Sequence, residues 1–128
     1  MPSDELHHWV RGFGMDAFLA THVAGVLSRL PGEVRHDLVS DPSFMLADYE
    51  PGPGLIAHIP VGLPSRVRGS RSVVLKRTLR RRPEAFVKYV IAHELAHAHL
   101  RNRGRWPGDD PEFAADALAA SWGFPRPF

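Results

Sequence analysis

Cysteine is absent from this chain of 128 residues. Disulfide bonds and thiolate metal ligands are therefore excluded, and any zinc ion would have to be held by histidine, aspartate or glutamate. The chain also lacks an apolar run long enough to cross a membrane and a start that resembles a secretory signal. We therefore expect a cytoplasmic protein without a membrane partner, and the length fits a single domain over residues 1–128.

Acidic residues are absent between Pro51 and Pro83, and half of the 16 basic residues of the chain lie in that region. These residues, which we call the basic stretch, are Arg66, Arg68, Arg71, Lys76, Arg77, Arg80, Arg81 and Arg82. A basic face can bind nucleic acid or an acidic substrate. No aromatic-rich nucleic-acid motif accompanies the charge, so we favour a solvated edge and keep nucleic acid as the alternative partner.

The most specific motif of the chain is His93-Glu94-Leu95-Ala96-His97. Residues four apart share one face of an α-helix, so His93 and His97 can direct both rings at one point. Two neutral imidazoles at that point supply half of a tetrahedral zinc site. Glu94 follows the first histidine, and its carboxylate can serve as a general base toward a water molecule at the metal.

The segment from Pro83 to Leu100 is predicted to be one helix that carries this motif. Proline suits a first helical position, and Glu84 lies in the first turn, where the helix dipole favours an acid. Apolar residues occur nearly all around the segment, which indicates a central, buried helix. Buried polar groups need partners, so the histidines within this helix favour metal coordination.

Two histidines leave a zinc site incomplete, and the leading candidates for a third ligand are Glu112 and Asp116. Asp109 and Asp110 rank lower, and His99 would point about 200° around the helix axis from His97. Glu112 and Asp116 are four apart at the start of a predicted helix that runs from Pro111 to about Ser121. One can bind the metal while the other accepts the far N–H of a ligand histidine, and we favour Glu112 as the ligand.

The rest of the chain mixes helices and strands. Helices are predicted near residues 3–10 and 16–30, with a short helical turn between 34 and 39. Strands are predicted at Ser43–Tyr49, Leu55–Val61 and Ser72–Lys76, with the first two joined in antiparallel fashion by the turn-forming residues 51–54.

The motif of the predicted helix, followed by Glu112-Phe113-Ala114-Ala115-Asp116, resembles the gluzincin branch of zinc metallopeptidases. The resemblance covers residues 72–123 and implies His93, His97 and Glu112 as zinc ligands. It also implies Glu94 as the catalytic base and Asp116 as the partner of a ligand histidine. The chain is much smaller than full-length gluzincins and looks like a minimal domain of the kind found in small bacterial and phage proteins.

The fold implied by this resemblance is a zincin-like α+β fold. A small, mostly antiparallel sheet of three to four strands would pack on the central helix, with helices before it and a ligand-bearing helix after it. The edge strand of such a sheet aligns an extended peptide, and Ser72–Lys76 is the expected edge strand.

These observations favour a zinc-dependent metallopeptidase that acts on a peptide or protein. The alternatives are a zinc-binding module without catalytic activity and a nucleic-acid-associated protein that uses the basic stretch. The residue that stabilises the oxyanion stays open among His58, Tyr49, Tyr89, His99 and an arginine of the basic stretch.

Overall fold

The computed structural model describes residues 3–50, 71–102 and 111–127. Within these ranges the chain forms five α-helices, two β-strands and one 3₁₀-helix. In chain order they are α1 (Ser3–Arg11), α2 (Ala17–Arg29), α3 (Gly32–Val39), β1 (Met45–Tyr49), β2 (Ser72–Lys76), the 3₁₀-helix (Arg77–Arg81), α4 (Glu84–Asn102) and α5 (Pro111–Ser121). None of the described helices combines the length and the apolar character needed to cross a membrane.

Helices α1 and α2, the first two elements of the chain, pack against each other. The carboxylate of Asp16 caps α2 by accepting the backbone N–H of Leu19 at 3.1 Å, which satisfies a donor that the helix itself leaves free. Leu6 and Val10 of α1 and Leu19 and Val23 of α2 are buried in the core. Both helices were predicted from their sequence patterns, and both predictions are confirmed.

The sheet differs from the prediction. The described residues contain two strands, and β1 pairs in parallel with β2, with Met45 opposite Ser72 and Tyr49 opposite Lys76. The expected mostly antiparallel sheet of three to four strands, and with it the predicted zincin-like fold class, is therefore wrong, because the described chain is mostly helical. The predicted strand Leu55–Val61 and the turn before it lie outside the described residues.

The error has a physical cause. Proline and glycine after β1 predict a local reversal of the chain, but they carry no information about which strand becomes the partner. Parallel strands need a connection of about a dozen residues or more, and residues 50–71 between β1 and β2 satisfy this requirement. Burial shows which face of the pair belongs to the core, because Leu46, its partner Val73 and Leu75 are all buried on one side.

Helix α4 is the central element, as the sequence predicts. It contacts α2, α3, α5 and β2, and Val87, Ile91 and Leu95 on its inner side are fully buried. Each such side chain contributes about 1.5–3 kcal/mol through burial. The neighbouring stripe, which includes Phe86 and Val90 and lies about 100° round the helix axis, is only half-buried. The core therefore fixes the rotation of α4, and with it the direction in which His93 and His97 point.

Arg71 belongs to the basic stretch that was predicted to be a solvated edge, yet its side chain is fully buried. Its guanidinium donates to the carboxylate of Asp37 at 2.5 Å and to the Asp37 carbonyl at 2.7 Å, and it lies 3.3 Å from the carboxylate of Asp41. His99 Nδ1 lies 2.7 Å from the same Asp37 carboxylate. Burial raises the pKa of Asp37, but the hydrogen bonds from His99 and Arg71 outweigh it and hold that pKa below its ordinary value. This cluster ties α3 to α4 and to the start of β2.

Helix α5 packs on α4 through small side chains. Ala115 and Ala119 are fully buried at this contact, and small residues let two helix backbones come close. Gly123 follows α5 with a φ of 96°, a conformation that favours glycine at a helix end. The Phe124 N–H then bonds the carbonyl of Ala119 at 3.0 Å. The chain thereby turns back, and residues 124–127 run beside the site described next.

Candidate metal centre

Helix α4 brings the two histidines of the motif to one point. The rings of His93 and His97 meet edge to face with centroids 4.6 Å apart, and their Nε2 atoms are 3.1 Å apart. The surrounding core holds the helix, and the Nε2 atoms of both rings lie close to a common position. This arrangement is what the four-residue spacing predicts for one face of a helix.

Helix α5 supplies a carboxylate to the same position. Glu112 lies in the first turn of α5, and its Oε2 atom is 2.5 Å from Nε2 of His97 and 3.2 Å from Nε2 of His93. In a tetrahedral zinc site with bonds of about 2.0–2.1 Å, the ligand atoms lie about 3.3 Å apart. Two imidazole nitrogens and one carboxylate oxygen at this spacing fit the donor chemistry of zinc, with the carboxylate slightly closer to His97 than a bound ion would leave it.

Asp116 contacts the ring of His93 at Nδ1, the nitrogen that faces away from His97 and Glu112. Its Oδ1 atom is 2.7 Å from Nδ1 of His93. A carboxylate there accepts the Nδ1–H, which leaves the lone pair of a neutral imidazole on Nε2, the atom that faces His97 and Glu112. A carboxylate in this place fixes the tautomer and raises the basicity of a ligand histidine.

Asp116 is itself held by two further side chains. The hydroxyl of Tyr89 donates to Oδ1 of Asp116 at 2.5 Å, and Nη2 of Arg126 lies 3.2 Å from Oδ2. Arg126 also donates from Nε to the Tyr89 oxygen at 3.3 Å. Tyr89, Asp116 and Arg126 therefore form a polar support behind His93, which we call the aspartate support.

The charges of this support shift two pKa values in opposite directions. Burial raises the pKa of Asp116, but hydrogen bonds from Tyr89 and His93 outweigh it, so the pKa lies below its ordinary value. Burial and the hydrogen bond to the Asp116 carboxylate raise the pKa of the Tyr89 hydroxyl. Asp116 thus stays an ionised acceptor while Tyr89 stays a neutral donor.

Glu94 lies next to the ring nitrogens of His93 and His97. One of its carboxylate oxygens falls within 4.8 Å of ring nitrogens of both His93 and His97, and its side chain lines a groove beside β2. This distance alone would allow Glu94 as a metal ligand. We prefer Glu112 as the ligand, because its Oε2 atom lies 2.5 Å and 3.2 Å from the two Nε2 atoms, and Glu94 then remains as a base that can act on water.

The site is open on the side of Glu112. The side chains of His93 and His97 are only 12% and 7% exposed, whereas that of Glu112 is 67% exposed. A structural zinc site is closed by four protein ligands, whereas a catalytic site keeps an open position. The described residues bring Nε2 of His93, Nε2 of His97 and Oε2 of Glu112 together and leave the side of Glu112 accessible from solvent.

The remaining candidates from the sequence fall elsewhere. His99 points away from the site toward Asp37, as its position on the helix predicts. Asp109, Asp110 and His58 lie outside the described residues. Tyr89, named as a candidate for the oxyanion, has its hydroxyl directed at Asp116 instead.

Sequence reasoning did not assign Tyr89 and Arg126 to the aspartate support. Tyr89 precedes His93 by four residues, so helical spacing alone could have placed it on the face of the site. Arg126 lies in a proline-containing tail without a periodic pattern, and its place depends on the turn at Gly123. No local signal in the sequence predicts that contact.

Comparison with known proteins identified no relative of this chain. No family model, no curated protein and no solved structure matches the chain.

Proposed function

We propose that the protein is a zinc-dependent metallopeptidase with His93, His97 and Glu112 as ligands. The observation that carries this proposal is the meeting of two Nε2 atoms and one Oε2 atom within 3.2 Å of one another on an accessible surface. The resemblance of the two motifs to gluzincins supports the same ligand set. A zinc ion bound there would activate a water molecule and polarise the scissile carbonyl.

The side chains of this chain have separate tasks in such a reaction. Glu94 would take a proton from the attacking water and pass it to the leaving amine. Asp116 would keep His93 in the tautomer whose Nε2 faces the metal position. The groove that contains Glu94 would hold the substrate next to the site, since its lining runs from β2 to α4.

Two observations favour catalysis over a zinc module without activity. A structural zinc needs no base, yet Glu94 lies within 4.8 Å of the histidine nitrogens and faces an open groove. The site is also accessible at Glu112. The nucleic-acid alternative loses support, because Arg71, Arg77 and Arg80 of the basic stretch are paired with carboxylates of the protein itself.

Substitution of Glu94 separates the enzyme from the module. We expect Glu94→Gln to keep zinc, because the ligands are untouched, and to lower the rate of peptide hydrolysis by at least about a hundredfold. The measurement is zinc content together with cleavage of a peptide mixture, followed by mass spectrometry. As a control, Glu84→Gln removes an exposed carboxylate of α4 that pairs with Lys88, and it should change neither quantity. Hydrolysis that survives Glu94→Gln would refute the assigned mechanism.

A further inference from the structure

A groove of about 480 Å³ lies between β2, the 3₁₀-helix and α4, and Glu94 is part of its lining. Its apolar lining includes Leu79, Phe86 and Val90. Phe86 and Val90 belong to the half-buried stripe of α4, and both contribute to the wall of the groove. A groove of this size is within the range of ligand sites, and its apolar wall fits an apolar side chain.

The shape of the groove favours an extended chain. Val74, Leu75 and Lys76 of β2 all contribute to the lining. Successive residues of a strand point to opposite faces, so a groove that touches three in a row runs along the edge of the strand. Within the described sheet, β2 is hydrogen-bonded to β1 alone. An extended peptide can add to such an edge through its main chain.

The charge of the groove is positive away from the metal centre. Lys76 and Arg82 line it and are exposed, and Cζ of Arg82 lies 4.4 Å from the centroid of the Phe86 ring. Neither cation has a carboxylate partner among the described residues, in contrast to the neighbouring Arg77 and Arg80, which pair with Asp48 and Asp16. Their charge is therefore available to a ligand.

We propose that this groove selects extended peptides in which an apolar side chain is flanked by acidic ones. The apolar side chain would pack on Phe86 and Val90, and the acidic side chains would pair with Lys76 and Arg82. Charge complementarity and the apolar wall together argue for this occupant. The inference rests on the proposed function, because the groove leads to Glu94 and the candidate metal centre.

Binding can be measured apart from turnover with zinc-loaded full-length protein that carries Glu94→Gln. The probes are fluorescein-labelled peptides of equal length in which a central leucine is flanked by glutamates, by serines or by lysines. Fluorescence anisotropy should show about tenfold tighter binding of the glutamate peptide than of the lysine peptide, as expected for two partly exposed ion pairs. Replacing the leucine by serine in the glutamate peptide should weaken binding severalfold.

Charge reversal at Arg82 tests the residue assignment. Arg82→Glu should remove the preference for glutamate. Arg81→Glu is the matched control, because Arg81 is an exposed neighbour that does not line the groove and the change in net charge is the same. Equal effects of both substitutions would overturn the groove assignment in favour of general electrostatic attraction.

The outcomes for the groove and for the enzyme are distinct. Preference for glutamate without cleavage by the parent protein would support the groove and refute the peptidase proposal. Cleavage of the peptides without a preference for glutamate would support the peptidase proposal and refute the proposal about the groove. If no peptide binds, or if a DNA oligonucleotide of matched charge binds more tightly than the glutamate peptide, the inference about the groove is wrong.

Discussion

Replacement of Asp116 by asparagine tests how the aspartate support acts on the metal site. The change keeps the size of the side chain and an oxygen acceptor, but it removes the charge that faces His93 at 2.7 Å. A hydrogen bond to a charged group contributes about 1.5–3 kcal/mol and a neutral one about 1 kcal/mol. The difference between the two is therefore about 0.5–2 kcal/mol, and because the side chain of Asp116 is only 27% exposed, partial solvent screening places it near the middle of that range. We therefore expect zinc affinity to fall about tenfold, which corresponds to about 1.4 kcal/mol.

A graded series sharpens this prediction. Asp116→Ala removes the acceptor altogether, and we expect a loss of about a hundredfold in zinc affinity. Tyr89→Phe removes only one of the two donors that hold Asp116, so its effect should be about threefold, because Tyr89 acts on His93 through Asp116. The loss of zinc affinity should therefore be largest for Asp116→Ala, smaller for Asp116→Asn and smallest for Tyr89→Phe, because the three changes affect the contact with His93 less and less directly.

The assay is a competition titration against a chromophoric zinc chelator at fixed pH. Nitrogen-detected NMR of the His93 ring in the metal-free protein should show the Nδ1–H tautomer in the parent and a mixed tautomer in Asp116→Ala. Glu84→Gln, which removes an exposed carboxylate of α4 that pairs with Lys88, is the control and should leave zinc affinity unchanged. Asp116→Asn and Asp116→Ala both within twofold of the parent would refute the role of Asp116.

Two further predictions concern the fold. Asp37→Asn should lower the free energy of unfolding by about 3 kcal/mol at pH 7, because the buried Arg71 would keep, among the described residues, a single carboxylate partner, Asp41 at 3.3 Å. Denaturant unfolding measures this, and a loss below 1 kcal/mol (roughly the value of a surface ion pair) would contradict the buried cluster. Leu95→Ala, at a fully buried position of α4, should cost about 2–5 kcal/mol in the metal-free protein, and full stability of that variant would contradict the central place of α4.

The effect of Asp37→Asn should depend on pH. The pKa of Asp37 is lowered in the fold, so its contribution is fully present above the unfolded value of 3.8 and is lost as the pH falls through the folded pKa. The parent and the variant should therefore converge in stability in acid. A difference that stays constant down to pH values below about 3 would mean that the carboxylate charge is not the source of the stabilisation.

The parts of the fold that could be predicted depend on local signals. Helix α2 begins at a capping residue, Asp16, and helix α4 follows a proline with an acid in its first turn. The residues that meet at the candidate site are separated by four positions within one helix or lie in the first turns of the next, so helical periodicity predicts the faces they share. These features require no knowledge of distant contacts.

The parts that could not be predicted depend on contacts between distant segments. The parallel pairing of β1 with β2 joins residues on either side of the segment 50–71, and no short pattern encodes it. The burial of Arg71 depends on carboxylates from residues 37 and 41, and the approach of Arg126 to Asp116 depends on the turn after α5. Each of these results from packing of the whole domain.

The most direct test of the central claim is the zinc content of the purified, zinc-reconstituted protein, measured by elemental analysis beside His93→Ala and Glu112→Ala. We predict roughly one zinc per chain in the parent, loss of zinc in both variants, and no loss in the control Glu84→Ala. Retention of zinc in Glu112→Ala but not in His93→Ala would contradict the assigned third ligand. A parent protein that holds no zinc after reconstitution would contradict the metal centre itself.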